Sequence, residues 1–330
     1  MTIEYILQGR MKQILLLIFA VQISTIATEE ALNCAVYEKK YVCLNSTLIR
    51  ISESDGILKG NTFPKMSSIQ SMEFMMNNLT DIEPMFFSKF PNLTELTIRG
   101  NNKFPNITRN LLKHCNHLIT LKIYFNLKLN HIDENVLRNF PRLKQLLIRS
   151  ERIQHLRKHD FQVATNLRVL ELDLTTLKKI DGNAFEPIRD LEKLSLMANN
   201  FLKIKNEIFN SIPQLVELNL IYADITDLSF LRKLPKLQIL KLAGNKISSI
   251  SADILEGLNN LRELDLAHTG IKHIDTSPSF FKNVPNLKKI DITCHDLTEE
   301  LFVFVKLVEH GIALFDRYRG NERMLSCSFD

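Results

Sequence analysis

The chain lacks the motifs on which most enzymes depend. It has only ten glycines, and it contains no G-x-S-x-G, no phosphate-binding glycine loop, no H-E-x-x-H and no dinucleotide-binding glycine pattern. His114 and His117, or His155 and His159, are spaced as metal pairs would be, but solvated surface histidines explain them better, because neither pair falls reliably on one helix face. We therefore expect no catalytic residue, no metal, no cofactor and no enzymatic activity.

Blocks of like charge are also missing. The 42 basic and 37 acidic side chains give a net charge of +5, and the basic residues are scattered along the chain. A nucleic-acid site or a basic membrane patch would need a local cluster of lysines and arginines. We therefore expect neither nucleic acid nor a membrane surface as the partner. Linkers rich in Gly, Ser or Pro are absent too, which favours one continuous domain.

The N-terminal segment has the pattern of a secretion signal. Arg10 and Lys12 precede the apolar run from Ile14 to Val21, which is shorter than the roughly 20 residues of a membrane span. Small residues follow it at Thr25-Ile26-Ala27. We expect residues 1–27 to be a signal peptide, with translation starting at Met1 or Met11; a buried core helix is the alternative interpretation.

Four N-glycosylation sequons agree with export, and all lie in the first third of the chain. Any one of them arises easily by chance, whereas four behind a signal peptide favour a secreted, extracellular glycoprotein. The predicted acceptors are Asn45, Asn78, Asn92 and Asn106.

One nine-residue phrase, apolar-x-x-apolar-x-apolar-x-x-Asn, recurs ten times between residues 69 and 295. It is clearest from Leu93 to Asn101 and from Leu237 to Asn245. The copies are 22 to 26 residues apart, and they begin at Ile69, Leu93, Leu118, Leu143, Leu167, Leu191, Leu215, Leu237, Leu261 and Leu287. A unit of this length cannot bury its apolar face alone, so consecutive units must stack into a solenoid.

This pattern resembles the extracellular leucine-rich repeat family. The resemblance implies an α/β solenoid, a curved horseshoe of about ten repeats over residues 69–295. In that family the Asn bonds the backbone of adjacent turns; the matching residues are Asn77, Asn101, Asn126, Asn199 and Asn245. Five phrases depart from it, and there we expect a weaker ladder: at Glu151, Thr175, Ala223, Thr269 and His295. Phenylalanines recur in the return segments, at Phe87, Phe161, Phe185, Phe209 and Phe281.

Four of the five cysteines lie beyond the two ends of the repeat. Cys34 and Cys43 precede it, and Cys294 and Cys327 bracket the segment after it. Since a solenoid must cover its open ends, we expect disulfide-tied caps over residues 28–68 and 296–330, with Cys34 paired to Cys43 and Cys294 to Cys327. A metal site is the alternative, disfavoured because no C-x-x-C spacing occurs.

The fifth cysteine and the C-terminal apolar segment are both expected to be buried. Cys115 occupies a repeat position that is apolar in the other units, which predicts an inert thiol. The run from Leu301 to Val308 follows a capping-box pattern at Asp296 and Glu299 and precedes Gly311. We expect a short helix that plugs the end of the core; membrane insertion is the minor alternative.

Binding is the remaining function. The third, fifth and seventh positions of each phrase should point out from the concave sheet. They contain a basic-aromatic cluster and an apolar cluster, of residue types enriched at protein interfaces. Scattered surface residues are the alternative interpretation. The predicted partner-binding residues are Arg99, Lys122, Tyr124 and Arg149 in the first cluster, and Met197, Ile221 and Tyr222 in the second.

The overall layout is similar to the secreted leucine-rich immune proteins of mosquitoes, although the coiled coil of their longer members is missing. The resemblance implies innate immune recognition of an extracellular protein. Because no membrane span or signalling domain follows the repeat, a complete receptor is disfavoured. An extracellular matrix or adhesion protein, or a co-receptor ectodomain, is the alternative. The oligomeric state is not predicted.

Overall fold

The computed structural model describes residues 33–37, 40–100, 107–126, 131–199, 204–293 and 300–314. Within these ranges the turns of a solenoid stack in sequence order, and each turn adds one strand to a large sheet. This sheet has fourteen strands in the described part of the chain. The predicted signal peptide, 1–27, lies outside the described residues.

The sheet begins with an antiparallel hairpin and continues in parallel. Strands β1 (Asn33–Tyr37) and β2 (Lys40–Leu44) form the hairpin, and β2 pairs antiparallel with β3 (Leu48–Ser52). From β3 onward the strands are parallel. They continue as β5 (Ser71–Met75), β7 (Glu95–Arg99), β8 (Thr120–Tyr124), β9 (Gln145–Arg149), β11 (Val169–Asp173), β13 (Lys193–Ser195), β14 (Glu217–Asn219), β15 (Ile239–Lys241), β17 (Glu263–Asp265), β19 (Lys289–Asp291) and β20 (Ala313–Leu314).

The return segments carry short elements on the opposite side. Three small parallel pairs lie there, namely β4 (Asp55–Leu58) with β6 (Asn78–Ile82), β10 (His155–Leu156) with β12 (Lys179–Ile180), and β16 (Ser249–Ile250) with β18 (His273–Ile274). Short 3₁₀ helices cover Phe87–Lys89, Lys158–Phe161, Glu186–Ile188, Asn206–Ser211, Ser229–Lys233 and Ala252–Leu255. The α-helices are α1 (Glu134–Leu137), α2 (Pro278–Asn283) and α3 (Glu300–Glu309).

The core lies between the sheet and the return segments. Because side chains alternate along a strand, the fourth and sixth residues of each phrase point inward, as Leu96 and Ile98 do. Phenylalanines fill the other side, where Phe209 stacks on Phe230 with ring centroids 4.3 Å apart. Phe281 lies in its return segment as predicted, packed against the core and stacked on His310, while its neighbour Phe280 is fully buried.

Buried asparagines join successive turns. The Asn245 side chain accepts hydrogen bonds from the backbone N–H groups of Ala223 and Ile225. Its amide donates to the carbonyls of Leu220, in the turn before, and Leu242, in its own turn. Comparable bonds to the preceding turn are made by Asn77, Asn126 and Asn199. The ladder between turns that the resemblance implied is therefore present at these positions; Asn101 lies outside the described residues.

Two of the residues that replace Asn also contribute to this ladder. The buried Glu151 carboxylate accepts from the backbone N–H of Asn126 at 2.7 Å and from its side-chain amide at 3.2 Å. The hydroxyl of Thr175 donates to Asn199 at 2.7 Å. The ladder is therefore not interrupted at these two positions, because both side chains reach the asparagine of a neighbouring turn; a weaker ladder there remains a prediction. His295 lies outside the described residues.

The residue before each ladder position has a left-handed backbone, with φ between 48° and 69°. From Met76 onward, the N–H of this residue donates to a carbonyl of the following turn, as Met76 does to Arg99 and Tyr222 to Ala243. We call this set the lateral row, since it follows the edge of the sheet where the strands end. Its members are Glu53, Met76, Gly100, Phe125, Ser150, Leu174, Ala198, Tyr222, Gly244 and His268.

The parallel ladder extends past the predicted repeat boundaries at both ends. Strand β3 lies in the predicted cap of residues 28–68, yet it pairs in register with β5, with Ile49 beside Met72. At the other end β20, in the predicted cap of residues 296–330, pairs in parallel with β19. The solenoid therefore continues for one more strand on each side than the phrase indicates. The proposed domain boundaries remain predictions.

The N-terminal hairpin places two predicted disulfide partners side by side. Cys34 lies directly across from Cys43 in the antiparallel register, and the disulfide between them remains a prediction. Cys294 and Cys327 lie outside the described residues. The predicted C-terminal helix is present as α3, where Val303 and Leu307 are buried whereas Phe302, Val305 and Val308 are exposed. The helix therefore covers the core with one face only.

Cys115 is buried, as predicted, with 2% of its surface exposed, and its thiol is free. Burial raises the pKa of this thiol to about 12, so its nucleophilic thiolate is scarce at neutral pH. We expect iodoacetamide to leave Cys115 unmodified in the native protein at pH 8 and to alkylate it fully in 6 M guanidinium. Mass spectrometry of the peptide that contains Cys115 measures both, and rapid labelling of the native protein would contradict this expectation.

Candidate functional site

The concave face brings the first predicted cluster together. Strands β7, β8 and β9 align Arg99, Tyr124 and Arg149 as successive register partners, and Lys122 lies on the middle strand. The guanidinium carbon of Arg149 lies 5.5 Å from the centre of the Tyr124 ring, within cation–π distance. Burial raises the pKa of the Tyr124 phenol, so the ring is a neutral, partly covered platform.

Two of the three positive charges of this cluster are compensated within the face. Arg149 donates to Glu171 at 2.6 Å, and its Nε lies 3.4 Å from Asp173 Oδ2. Lys122 forms an ion pair with Glu95. The cluster is therefore an aromatic and ionic network rather than the basic patch that the sequence suggested.

The network continues along the next strands. Lys193 lies 3.1 Å from Glu171 and 3.5 Å from Glu217, and Lys241 lies 3.0 Å from Glu217. Asp173 is buried, and it accepts from the Ser195 hydroxyl at 2.5 Å. These acidic partners were not predicted from the sequence, although a signal exists. Acidic and basic residues occupy outward positions of neighbouring phrases, and the parallel register places those positions side by side.

Burial and ion pairing shift the pKa values of this network in opposite directions. Burial raises the pKa of Asp173, and the hydrogen bond from Ser195 and the charge of Arg149 only partly oppose it. Burial also disfavours the charged form of Glu171, but Arg149 and Lys193 outweigh it, so the pKa of Glu171 is lowered. Burial opposes the charge of Arg149, but Asp173 and Glu171 outweigh it and raise its pKa.

The lowered pKa of Glu171 makes a pH-dependent contribution to stability. A carboxyl whose native pKa lies below its unfolded value stabilises the fold above the unfolded pKa, here near 4.5, and loses that contribution as the pH falls through the native pKa. We expect Glu171→Gln to lower the urea midpoint at pH 7 and to differ much less from the wild type at pH 3. An equal difference at both pH values would contradict this assignment.

The second predicted cluster lies farther along the same face. Met197 and Ile221 follow the adjacent strands β13 and β14, and both side chains are half-buried. Tyr222 is 44% exposed and belongs to the lateral row, so its ring lies at the edge of the sheet. The structure therefore brings Met197 and Ile221 together on the sheet, with Tyr222 beside them at its rim.

The described sequons lie away from the concave strands. Asn78 and Asn92 are exposed, and Asn45 is half-buried because its side chain accepts from the N–H groups of Thr47 and Leu48. Asn106 lies outside the described residues. Glycosylation at all four positions remains a prediction.

Neither a metal cluster nor a membrane-spanning helix is found among the described residues. Within them, no three His, Cys, Asp or Glu side chains are grouped so that they could hold a metal ion. No helix in the same ranges has the length and apolar character needed to cross a bilayer.

Comparison with known proteins identifies the repeat. The family model of the leucine rich repeat matches residues 141–201 and 223–271, and that of the BspA type leucine rich repeat region matches residues 36–168. CD180 antigen of Mus musculus is 27% identical over 233 residues, 68% of this chain and 34% of that protein. Lumican of Coturnix japonica is 31% identical over 140 residues, 42% of this chain and 40% of lumican.

The fold also matches a solved structure. The crystal structure of the TLR13–ssRNA13 complex aligns with a TM-score of 0.58 and 21% identity, covering 74% of this chain and 39% of that one. The chain thus spans only about a third to two fifths of the length of these proteins. The chain is a leucine-rich repeat protein, similar in sequence to CD180 antigen and lumican and in fold to TLR13.

Proposed function

We propose that this chain is a secreted leucine-rich repeat protein that binds an extracellular protein through its concave face, in innate immune recognition. The signal-like N-terminus and the four sequons support export. Similarity to CD180 antigen and the fold shared with TLR13 support the immune role, as does the layout similar to the mosquito leucine-rich immune proteins. Catalysis has no part in the proposal.

The observation that carries the proposal is the alignment of Arg99, Tyr124 and Arg149 on three adjacent strands. Their backbones are fixed by the parallel ladder, so a partner that docks there orders little main chain on binding. Arg and Tyr are the residue types that contribute most at the centres of protein interfaces. Met197 and Ile221 extend the surface with apolar contacts.

A protein suits this face better than a nucleic acid does. The TLR13 structure holds a single-stranded RNA, but phosphate binding requires basic side chains whose charge is available. Here Lys122, Arg149 and Lys193 each form ion pairs with carboxylates of the same face. A docking protein can use these pairs as hydrogen-bonding groups without separating them.

A role in extracellular matrix or adhesion is the second candidate, and the similarity to lumican favours it. A co-receptor ectodomain belongs to the same alternative. Transcript levels after microbial challenge separate the two, because an immune role predicts induction whereas a matrix role predicts expression independent of the challenge.

Site-specific photocrosslinking tests the concave face. We place a benzophenone amino acid at position 99 or 221, and at position 233 as the matched control, because Lys233 is exposed on the opposite side. Arg149 is left intact, since changing it would also disturb the ion network. The proposal expects one extracellular protein to be crosslinked from 99 and 221 but not from 233. Crosslinks from 233 alone would place the binding surface on the other side.

The covalent framework is part of the proposal. We expect Cys34 to pair with Cys43, Cys294 to pair with Cys327, and sugar to occupy only the first third of the chain. Peptide mapping without reduction, with and without glycosidase, examines both. The opposed strand positions of Cys34 and Cys43 support the first pair.

A further inference from the structure

Large and small side chains alternate along the lateral row. Four bulky apolar residues, Met76, Phe125, Leu174 and Tyr222, each precede a small residue in the next turn. Those small residues are Gly100, Ser150, Ala198 and Gly244. We call the four bulky side chains the lateral ridge. It lies at the rim of the sheet, beside the concave face discussed above, and its role does not depend on the function proposed for that face.

The small residues make room for the ridge side chains at both ends of the ridge. A Cβ atom added at Gly244 would lie 2.2 Å from Cε1 of Tyr222, so the tyrosine ring lies directly on the glycine backbone. A Cβ added at Gly100 would lie 3.4 Å from Cγ of Met76. Each of these ridge side chains therefore bends toward the next turn, which fixes its position along the rim.

The ridge residues have a left-handed backbone conformation, which disfavours bulky side chains. Glycine adopts φ near +55° without strain, whereas a bulky residue is strained there. Met76, Phe125, Leu174 and Tyr222 all have φ between 50° and 58°. Glycine at Gly100 and Gly244 shows that the row accepts the unstrained residue. The same conformation at Glu53, Ser150, Ala198 and His268 shows that the fold imposes it, so it is the bulky apolar character of every second residue in the row that indicates a surface role.

The ridge side chains are accessible despite being apolar. Met76 is 57% exposed and Tyr222 is 44% exposed, while Phe125 and Leu174 are half-buried. Apolar side chains that repeat along one line and are at least partly exposed form a contact surface rather than scattered residues.

The spacing of the ridge indicates the shape of its ligand. Successive ridge residues are two strands apart, which is about 9.6 Å at the usual strand separation of about 4.8 Å. In a polyproline II helix every third residue returns to the same face after about 9.3 Å. An α-helix repeats a face after seven residues, about 10.5 Å. Over the three intervals of the ridge, the polyproline II repeat departs from the spacing of the ridge residues by about 1 Å, and the α-helical repeat departs from it by nearly 3 Å.

Charge around the ridge favours an acidic residue in the ligand. Arg152 is exposed two residues after Ser150, between Phe125 and Leu174 in the row. The neighbouring carboxylates Glu151 and Asp173 are buried and are bonded inside the solenoid, Glu151 to Asn126 and Asp173 to Ser195. The middle of the ridge is therefore flanked by the basic side chain of Arg152, whereas at its end the exposed Asp224 is paired with Lys246 at 2.8 Å.

We propose that the lateral ridge binds an extended, proline-rich segment of another protein in the polyproline II conformation, with an apolar residue at every third position. The apolar residues of the segment lie between the ridge side chains, and the Tyr222 ring packs against a proline. An acidic residue between two apolar anchors faces Arg152. Such a segment has little conformational entropy to lose on binding.

Synthetic peptides test the proposal on the intact chain by fluorescence anisotropy. The probe is a fluorescein-labelled peptide of four Leu-Pro-Pro repeats, in forms with Glu or Lys replacing one central proline. A flexible Gly-Ser peptide and an amphipathic helical peptide with Leu at every seventh residue are the controls. We expect saturable binding of the proline-rich peptide alone, tighter for Glu than for Lys.

The double variant Leu174→Asn and Tyr222→Asn locates the binding. Asn tolerates the left-handed conformation, so the melting temperature should change little while affinity falls about tenfold or more. Met85→Asn removes a side chain that is 53% exposed elsewhere and should leave affinity unchanged. Equal binding by the double variant, binding of the helical peptide alone, or no binding of any peptide would each overturn the proposal. None of these outcomes depends on the crosslinking result for the concave face.

Discussion

Replacing Arg149 by methionine is expected to lower the free energy of unfolding by about 3 kcal/mol, the typical cost of breaking a buried ion pair. The guanidinium holds two carboxylates, Glu171 and Asp173, that are almost fully buried. Without it, these carboxylates repel each other in a poorly solvated environment, and the remaining cation near Glu171 is Lys193. Methionine keeps much of the side-chain volume, so the loss of stability comes from removing the positive charge rather than from poorer packing.

Urea unfolding at pH 7 measures this effect, and Lys179→Met is the matched control. Lys179 also forms an ion pair, with Asp181 at 2.9 Å, but its side chain is 63% exposed. Exposed pairs contribute about 0–1 kcal/mol, so the control should remain close to the wild type. If the two variants lose equal stability, the network around Arg149 is not the buried cluster described above.

Replacing Asn245 by alanine is expected to lower the free energy of unfolding by about 3 kcal/mol, because buried backbone groups that lose their partners cost about 1–3 kcal/mol each. The side-chain oxygen accepts from the N–H groups of Ala223 and Ile225, which are both buried. Alanine offers these groups no acceptor, and the pocket is too enclosed for easy solvation.

Asn206→Ala is the matched control for this substitution. Asn206 also makes two side-chain hydrogen bonds, to Asp227 and to Ser229, but at the exposed side of the return segments. Water can replace those bonds, so a loss of no more than about 1 kcal/mol is expected. Thermal unfolding of both variants provides the comparison, and a large loss for Asn206→Ala with none for Asn245→Ala would remove the asparagine ladder as a source of stability.

The repeat itself was predictable because burial imposes it. The inward positions must be apolar in every turn, and the spacing of leucines therefore marks each strand. The turn at Leu48–Ser52 could not be recognised this way, since its first phrase position holds Ser46 rather than an apolar residue. Its Ile49 and Ile51 are as deeply buried as the leucines of later turns, but two residues alone do not establish a period.

The function of the replaced ladder residues could not be inferred from their type. The sequence predicted a weaker hydrogen-bond ladder where Glu151 replaces Asn, and a carboxylate is rarely buried. In the structure it is 1% exposed and bonds Asn126 one turn away. Side-chain length decides this outcome: Glu reaches one methylene farther than Asn. A single phrase considered alone does not show that its partner lies in the previous turn.

The charge of the concave face was predicted only in part. Sequence patterning placed Arg99, Lys122, Tyr124 and Arg149 on one surface, as the register confirms. The net charge of this surface depends on acidic residues about 22 to 27 positions away in the sequence, such as Glu95 and Glu171. The prediction considered the basic and aromatic residues alone, so it did not include the carboxylates that neutralise them. The lateral row was missed for a different reason, because only two of its ten members are glycines.

The direction of the lateral hydrogen bonds has a consequence for synthesis of the chain on the ribosome. At the beginning of a strand the N–H groups donate to the turn that has already been made, as Glu95 does to Gln70. At the end of the strand the lateral N–H donates to the turn not yet made, as His268 does to Thr293. Each newly emerged turn is therefore anchored on its older side and incomplete on its younger side. The growing end of the nascent solenoid always presents an unsatisfied donor, which the next turn satisfies as soon as it emerges.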